Sequence, residues 1–178
     1  MHIRSAVYFG YLSNLRYMPN INAAGQTHDQ LQAACWKAAQ QLYWPFLDQR
    51  LICIPNDMHA GNVARWKQYE ALGVTPGVWD MQLLWIEQIP NNVNHAGGVI
   101  NVPAIHWFEF KVGRDDLSAK QKQFRKRMLP IGHKFYVVEE QEQFANALEL
   151  IIKPTLHIAK EIWKEELEVN GKKRHKEE

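Results

Sequence analysis

Asp80, Glu109 and Lys111 are the residue types that hydrolysis of a phosphodiester requires. A hard dication such as Mg²⁺ or Mn²⁺ is held by one or two carboxylates while keeping several waters, and it polarises the phosphate and activates the attacking water. Lys111 follows Glu109 by two positions, so on an extended segment both side chains leave the same face. An ammonium there can orient or help deprotonate the attacking water and offset developing negative charge. A single Glu-x-Lys triplet carries little weight, because such pairs occur on many solvated strands. The reading depends on what surrounds it.

From Thr27, a candidate cap, Leu31, Cys35, Ala38 and Leu42 recur at the spacing of one helical face up to Tyr43-Trp44-Pro45. Leu51 to Ile54 reads as a short strand closed by Pro55-Asn56-Asp57. A second helical stretch around Val63, Trp66 and Leu72 ends at Gly73, and 73–77 form a turn. Val78 to Glu87 is expected as a strand, and 88–103, rich in Asn, Gly and Pro, as a loop or loose hairpin.

His106 to Val112 alternates, with His106, Phe108, Phe110 and Val112 on one face and Trp107, Glu109 and Lys111 on the other. Ser118-x-x-Gln121 has the form of a capping box and opens a helix with the stripe Leu117, Gln121, Phe124 and Met128. Phe135 to Glu139 is the last core strand, so a right-handed parallel crossover is expected. Helices at 141–152 and 155–169 follow, parted by Pro154, and 170–178 form a polar, mobile tail. The whole reads as an α/β fold, a small mixed β-sheet flanked by α-helices. Residues 1–26 are an N-terminal extension, 27–152 the domain carrying the chemistry, and 153–178 a C-terminal helix and charged tail.

The formal net charge is only +2, so a nucleic acid would be held by a local patch rather than by the field of the whole molecule. Lys120, Lys122, Arg125, Lys126 and Arg127 supply such a patch beside the carboxylates; a solvated helix face is the competing reading. Cys35 and Cys53 each sit in an apolar run, the usual setting of a buried, reduced thiol. The run Ala6 to Leu12 is too short to span a membrane, and an intracellular, cytoplasmic protein is expected. His59 and His106 invite attention as ligands, but no histidine pair has ligand spacing, and His106 is read as a core residue. Trp79 and Trp107, beside the carboxylates, are candidates to stack on a base or shape a cleft.

Three stretches together resemble a known family: Ile54-Pro55-Asn56; Gly73 to Asp80; and Phe108-Glu109-Phe110-Lys111 followed by Leu117-Ser118-x-x-Gln121. In their order and spacing the chain, from about Gln32 to about Phe144, resembles the VRR-NUC nucleases of the PD-(D/E)XK superfamily. That resemblance implies a restriction-endonuclease-like core and a Mg²⁺- or Mn²⁺-dependent DNA endonuclease. Asp80 and Glu109 would bind the metal with the backbone carbonyl of Phe110, Lys111 would be the catalytic lysine, and Gln121 would support a ligand or a phosphate.

The chain departs from the family pattern at two places. Trp79 stands where proline is common before the aspartate. Where relatives often have a first-helix glutamate as an extra ligand, this chain offers His28, Asp29 and Gln32. Short members of the family resemble Holliday-junction resolvases, which implies a homodimer acting on branched DNA in a bacterial or phage-infected cell. A non-cleaving nucleic-acid-binding accessory protein and an RNA-directed nuclease are the alternatives.

Overall fold

The computed structural model describes residues 26–54, 77–91 and 98–174, with side chains described to 169. The extension before Gln26, the turn at Pro55-Asn56, the helix expected around Val63 to Leu72, His59 and the turn before Gly77 lie outside the described residues.

The elements run α1 (His28–Tyr43), β1 (Leu51–Cys53), β2 (Met81–Pro90), β3 (Val99–Phe110), α2 (Ala119–Met128), β4 (Lys134–Val138), α3 (Gln141–Ile152) and α4 (Leu156–Arg174). The four strands form one mixed sheet in the order β1-β2-β3-β4, antiparallel except for the parallel pair β3/β4. The α/β class and the parallel return expected after the Ser118 helix are both present.

Thr27 caps α1 as expected and forms a full capping box with Gln30. Leu31, Cys35, Ala39 and Tyr43 of α1, with Phe144, Leu148, Ile151 and Ile152 of α3, cover one sheet face and bury Met81, Leu83, Phe108, Phe110 and Val138. On the other face Trp107 packs edge-on against Phe124 of α2, centroids 5.0 Å apart, and Phe124 in turn meets Phe135, which packs against Trp79. Near its C-terminal end β3 is therefore covered on both sides. Five consecutive residues, His106 to Phe110, are buried, whereas polar and apolar alternation alone describes a half-exposed strand.

Several expectations are corrected. Strand β2 begins at Met81 rather than Val78 and runs on to Pro90, and β3 resumes at Val99, with Pro90 opposite Val99. Of the loop or loose hairpin expected over 88–103, the hairpin is what forms, with 88–90 in β2 and 99–103 in β3; Pro90 and Pro103 lie at the ladder's end and on an exposed stretch of β3. The helix expected over 155–169 begins at Leu156 and runs on to Arg174. Cys35 is buried and free, but Cys53 is exposed: it shares the face of buried Leu51 but ends the short edge strand β1.

His106 is a core residue, stacked on Tyr136 with its Nδ1 3.4 Å from the Tyr136 hydroxyl. Its Nε2 faces Glu87 at 3.4 Å, and burial holds the imidazole neutral, pushing its pKa down to about 4.

Gly77 explains how α2 reaches the sheet. Its φ is +82°, and a Cβ there would lie 2.6 Å from Lys120 Cβ and 2.7 Å from the Lys120 carbonyl carbon. Only glycine lets the chain entering β2 pass so close to the first turn of α2. Gly77→Ala is expected to destabilise the protein by at least about 2 kcal/mol, combining a left-handed backbone penalty with overpacking. A urea midpoint unchanged from wild type would show that the approach relaxes freely.

Candidate metal centre

The antiparallel register of β2 and β3 brings the carboxylates together. Met81 pairs with Phe108, so one step further along the same ladder Asp80 comes opposite Glu109. Asp80 is also tied to β1, because Ile54 N–H donates to its carbonyl oxygen at 2.7 Å. Residues distant in sequence thus meet at one end of the sheet, where α1 and α2 both begin. Both helix N-termini lie beside a carboxylate, a favourable disposition for negative charge.

Asp80 is 5% exposed and Glu109 1%. Asp80 Oδ2 accepts from the Phe110 backbone N–H at 2.9 Å and faces His28 Nε2 at 3.0 Å. Glu109 Oε1 accepts from Gln121 Nε2 and pairs with Lys111 Nζ at 2.9 Å. Gln121 is the N3 residue of the α2 capping box, so its position is set by Ser118, whose N–H donates to Gln121 Oε1 at 2.8 Å. Lys111 Nζ lies 3.5 Å from the same oxygen. One amide therefore contacts the carboxylate, the ammonium and the helix cap.

Glu109 Oε2 is buried without a hydrogen-bond partner. One ligand atom each from His28, Asp80 and Glu109 falls within 4.8 Å of the others, a span that a dication with bonds of about 2.0–2.2 Å can draw together. Burial pushes the Glu109 carboxyl up to about 7, Asp80 adds to the rise, and Lys111 and His28 pull against it. A buried acceptor with no donor, beside a second carboxylate, is the environment a dication relieves. The donor set fits a divalent metal ion.

Asp80, Glu109, Lys111 and Gln121 are brought into one cluster, as is His28. Phe110 joins through its backbone N–H, which donates to Asp80, whereas the resemblance implies its carbonyl. Asp29 stands at the edge, exposed, its Oδ1 3.4 Å from His28 Nδ1. Gln32 does not join: it hydrogen-bonds the Cys53 thiol instead, since four residues on from His28 it lies one helical turn further along α1.

Lys120, Lys122, Arg125, Lys126 and Arg127 are all exposed on α2, and Lys122 is paired with Asp116 at 2.6 Å. Trp79 is fully buried, donating to the Gln121 carbonyl at 3.4 Å, and Trp107 donates to His133 Nδ1 at 2.9 Å. Both indoles are core mass and neither can stack on a base, because the aromatic cluster under α2 consumes their faces. What sequence reasoning missed is the close approach at Gly77; its signal was the glycine itself, just ahead of the aspartate.

A scan against protein-family models, a search of curated proteins and a search of solved structures each gave no match. Among the described residues no helix is long and apolar enough to cross a membrane.

The raised Glu109 pKa has a defined sign. Between its usual value near 4.5 and about 7 the folded chain keeps a proton that the unfolded chain has released, so folding weakens as pH rises through that window. In EDTA, the stability of wild type relative to Glu109→Gln is expected to drop by up to about 3 kcal/mol between pH 4.5 and 7.5. A flat difference in urea unfolding would mean that Glu109 is ionised throughout.

Proposed function

We propose that this protein is a metal-dependent DNA endonuclease with a restriction-endonuclease-like core. The observation that carries the reading is the meeting of Asp80 and Glu109 at the sheet end with Lys111 Nζ 2.9 Å from Glu109. The motif likeness to the VRR-NUC nucleases, which rests on these residues and those flanking them, supports the same reading. Asp80, Glu109 and the backbone carbonyl of Phe110 would hold Mg²⁺ or Mn²⁺. When bound, the dication supplies Lewis acidity at the scissile phosphate and activates water.

The remaining work falls to the chain's own side chains. Lys111 orients the attacking water and offsets negative charge on the phosphate oxygens. Gln121 holds both Glu109 and Lys111 in place, so the ammonium does not have to be ordered on substrate binding. Lys120, Arg125, Lys126 and Arg127, exposed on the helix that carries Gln121, would follow the phosphate backbone, giving steep salt dependence. By the same motif likeness the working unit is a homodimer that sets two centres on one branched DNA; a monomeric mass by light scattering would reject that part.

The test is cleavage of labelled duplex, flap, single-stranded and four-way-junction DNA with Mg²⁺ or Mn²⁺. Wild type is expected to cut, Glu109→Gln to be inactive, and Lys111→Ala to be slower by at least about 100-fold with DNA binding retained. Cleavage surviving both substitutions rejects the site. Binding without cleavage by wild type favours the accessory-protein reading, and competition by RNA over DNA favours an RNA-directed nuclease.

A further inference from the structure

The imidazole at the start of α1 faces the candidate metal centre. His28 is the first residue of the helix, and the Thr27 capping box sets the orientation of that first turn. Its Nε2 lies 3.0 Å from Asp80 Oδ2, and its ring meets the Phe110 ring edge-on with centroids 6.4 Å apart. On the other side of the ring, Nδ1 lies 3.4 Å from Asp29 Oδ1. Without a cation Nε2–H donates to Asp80 Oδ2; with a dication bound, the ring's one proton would sit on Nδ1 towards Asp29 and the Nε2 lone pair would take the metal. Carboxylate, imidazole and metal in that order is the usual arrangement around a ligating histidine.

Two observations point to a cation between these groups. A ligand atom from each of His28, Asp80 and Glu109 falls within a common 4.8 Å. Glu109 Oε2 is buried and has no hydrogen-bond partner. Asp80 Oδ2 takes the Phe110 N–H and faces His28 Nε2, so a cation bound between them would replace the imidazole's direct contact with Asp80.

Resting on the metal centre of the nuclease reading, we infer that His28 is a metal ligand, completing a one-histidine, two-carboxylate set that selects a transition-metal dication over Mg²⁺. All-oxygen sites suit Mg²⁺, which sheds water reluctantly and rarely takes nitrogen; an imidazole shifts preference toward Mn²⁺, Co²⁺ or Zn²⁺. The centre is then a manganese-class site in a chain whose two acidic ligands alone would not discriminate. Asp29 is the positioning residue: it touches no ligand but His28, whose ring it orients.

The experiment measures metal binding on the full chain without DNA. Mn²⁺ is titrated and free ion followed by electron paramagnetic resonance, Mg²⁺ is used as competitor, and the visible spectrum of added Co²⁺ reports its ligand field. Wild type is expected to bind Mn²⁺ at least about tenfold more tightly than Mg²⁺. His28→Ala should lose at least about tenfold in Mn²⁺ affinity, a loss that even outer-shell partners produce, while Mg²⁺ affinity changes little. The Co²⁺ bands should shift in His28→Ala, and Asp29→Asn should weaken Mn²⁺ by a smaller factor. Circular dichroism checks folding, and His28→Gln, which retains polarity but not the imidazole, should behave as His28→Ala.

Equal losses for Mn²⁺ and Mg²⁺ in His28→Ala, or an unchanged Mn²⁺ affinity and Co²⁺ spectrum, would overturn the inference and leave His28 as the ion-pair partner of Asp80. Either result would leave the nuclease reading standing. Absence of any dication binding by wild type, with the same null in Glu109→Gln, would overturn both.

Discussion

Two carboxylates kept almost out of water at one end of a sheet are the constraint on which the rest of the molecule depends. Removing such groups from solvent costs several kcal/mol each unless hydrogen bonds and opposite charge compensate. Every nearby element contributes a compensation: β3 a backbone N–H, α1 an imidazole, the chain after β3 an ammonium, and α2 a carboxamide. The compensation is incomplete at Glu109, where one oxygen remains without a partner and the carboxyl binds its proton more tightly than usual. A fold that served stability alone would gain by replacing the pair with apolar residues; retaining it concentrates unspent negative potential in a small volume.

The packing around the site keeps that volume fixed. Phe108 and Phe110 lie against Phe144 on one face of β3, with centroids 4.9 and 5.7 Å away. On the opposite face Trp107 is locked between Phe124 and a hydrogen bond to His133. A strand gripped from both sides has little freedom to tilt, so Glu109 and the residue two further on hold their direction without help from a ligand. Helix α2 has no fully buried residue of its own, and its attachment depends on the Phe124 contacts, the passage over Gly77 and the Gln121 amide. The element with the weakest packing is therefore held by the residue that contacts Glu109 and Lys111, so the attachment of α2 and the geometry of the centre are coupled.

The histidine gives the centre its individual character. Two carboxylates and a lysine would suffice for a hard dication with its own waters, whereas an imidazole at 3.0 Å from Asp80 adds a softer donor and a group able to balance charge. The exposed cations of α2 are of another kind. Their side chains are solvated, one is spent on Asp116, and their value would lie in tracking a long polyanion rather than in shaping the centre.

Much of this was legible in the chain itself, because the signals are local. Thr27 and Ser118 cap the helices they precede, the stripe of α1 follows a helical period, and alternation places Glu109 and Lys111 on one side of β3. The order of the motifs marked Asp80, Glu109, Lys111 and Gln121 as one set, and all four meet. What the tertiary structure decided depends on partners that no local pattern encodes. The extent of the β2/β3 hairpin follows from pairing across the ladder, and Pro90 and Pro103, which read as breakers, are both paired in it. The burial of Trp79 and Trp107 follows from α2 crossing the second sheet face, and the choice of His28 over Gln32 from where α1 begins relative to the end of β3. Capping, period and alternation act within a few residues and are written in sequence; register, layer order and the meeting of distant side chains are set by how whole elements pack, and only the folded chain decides them.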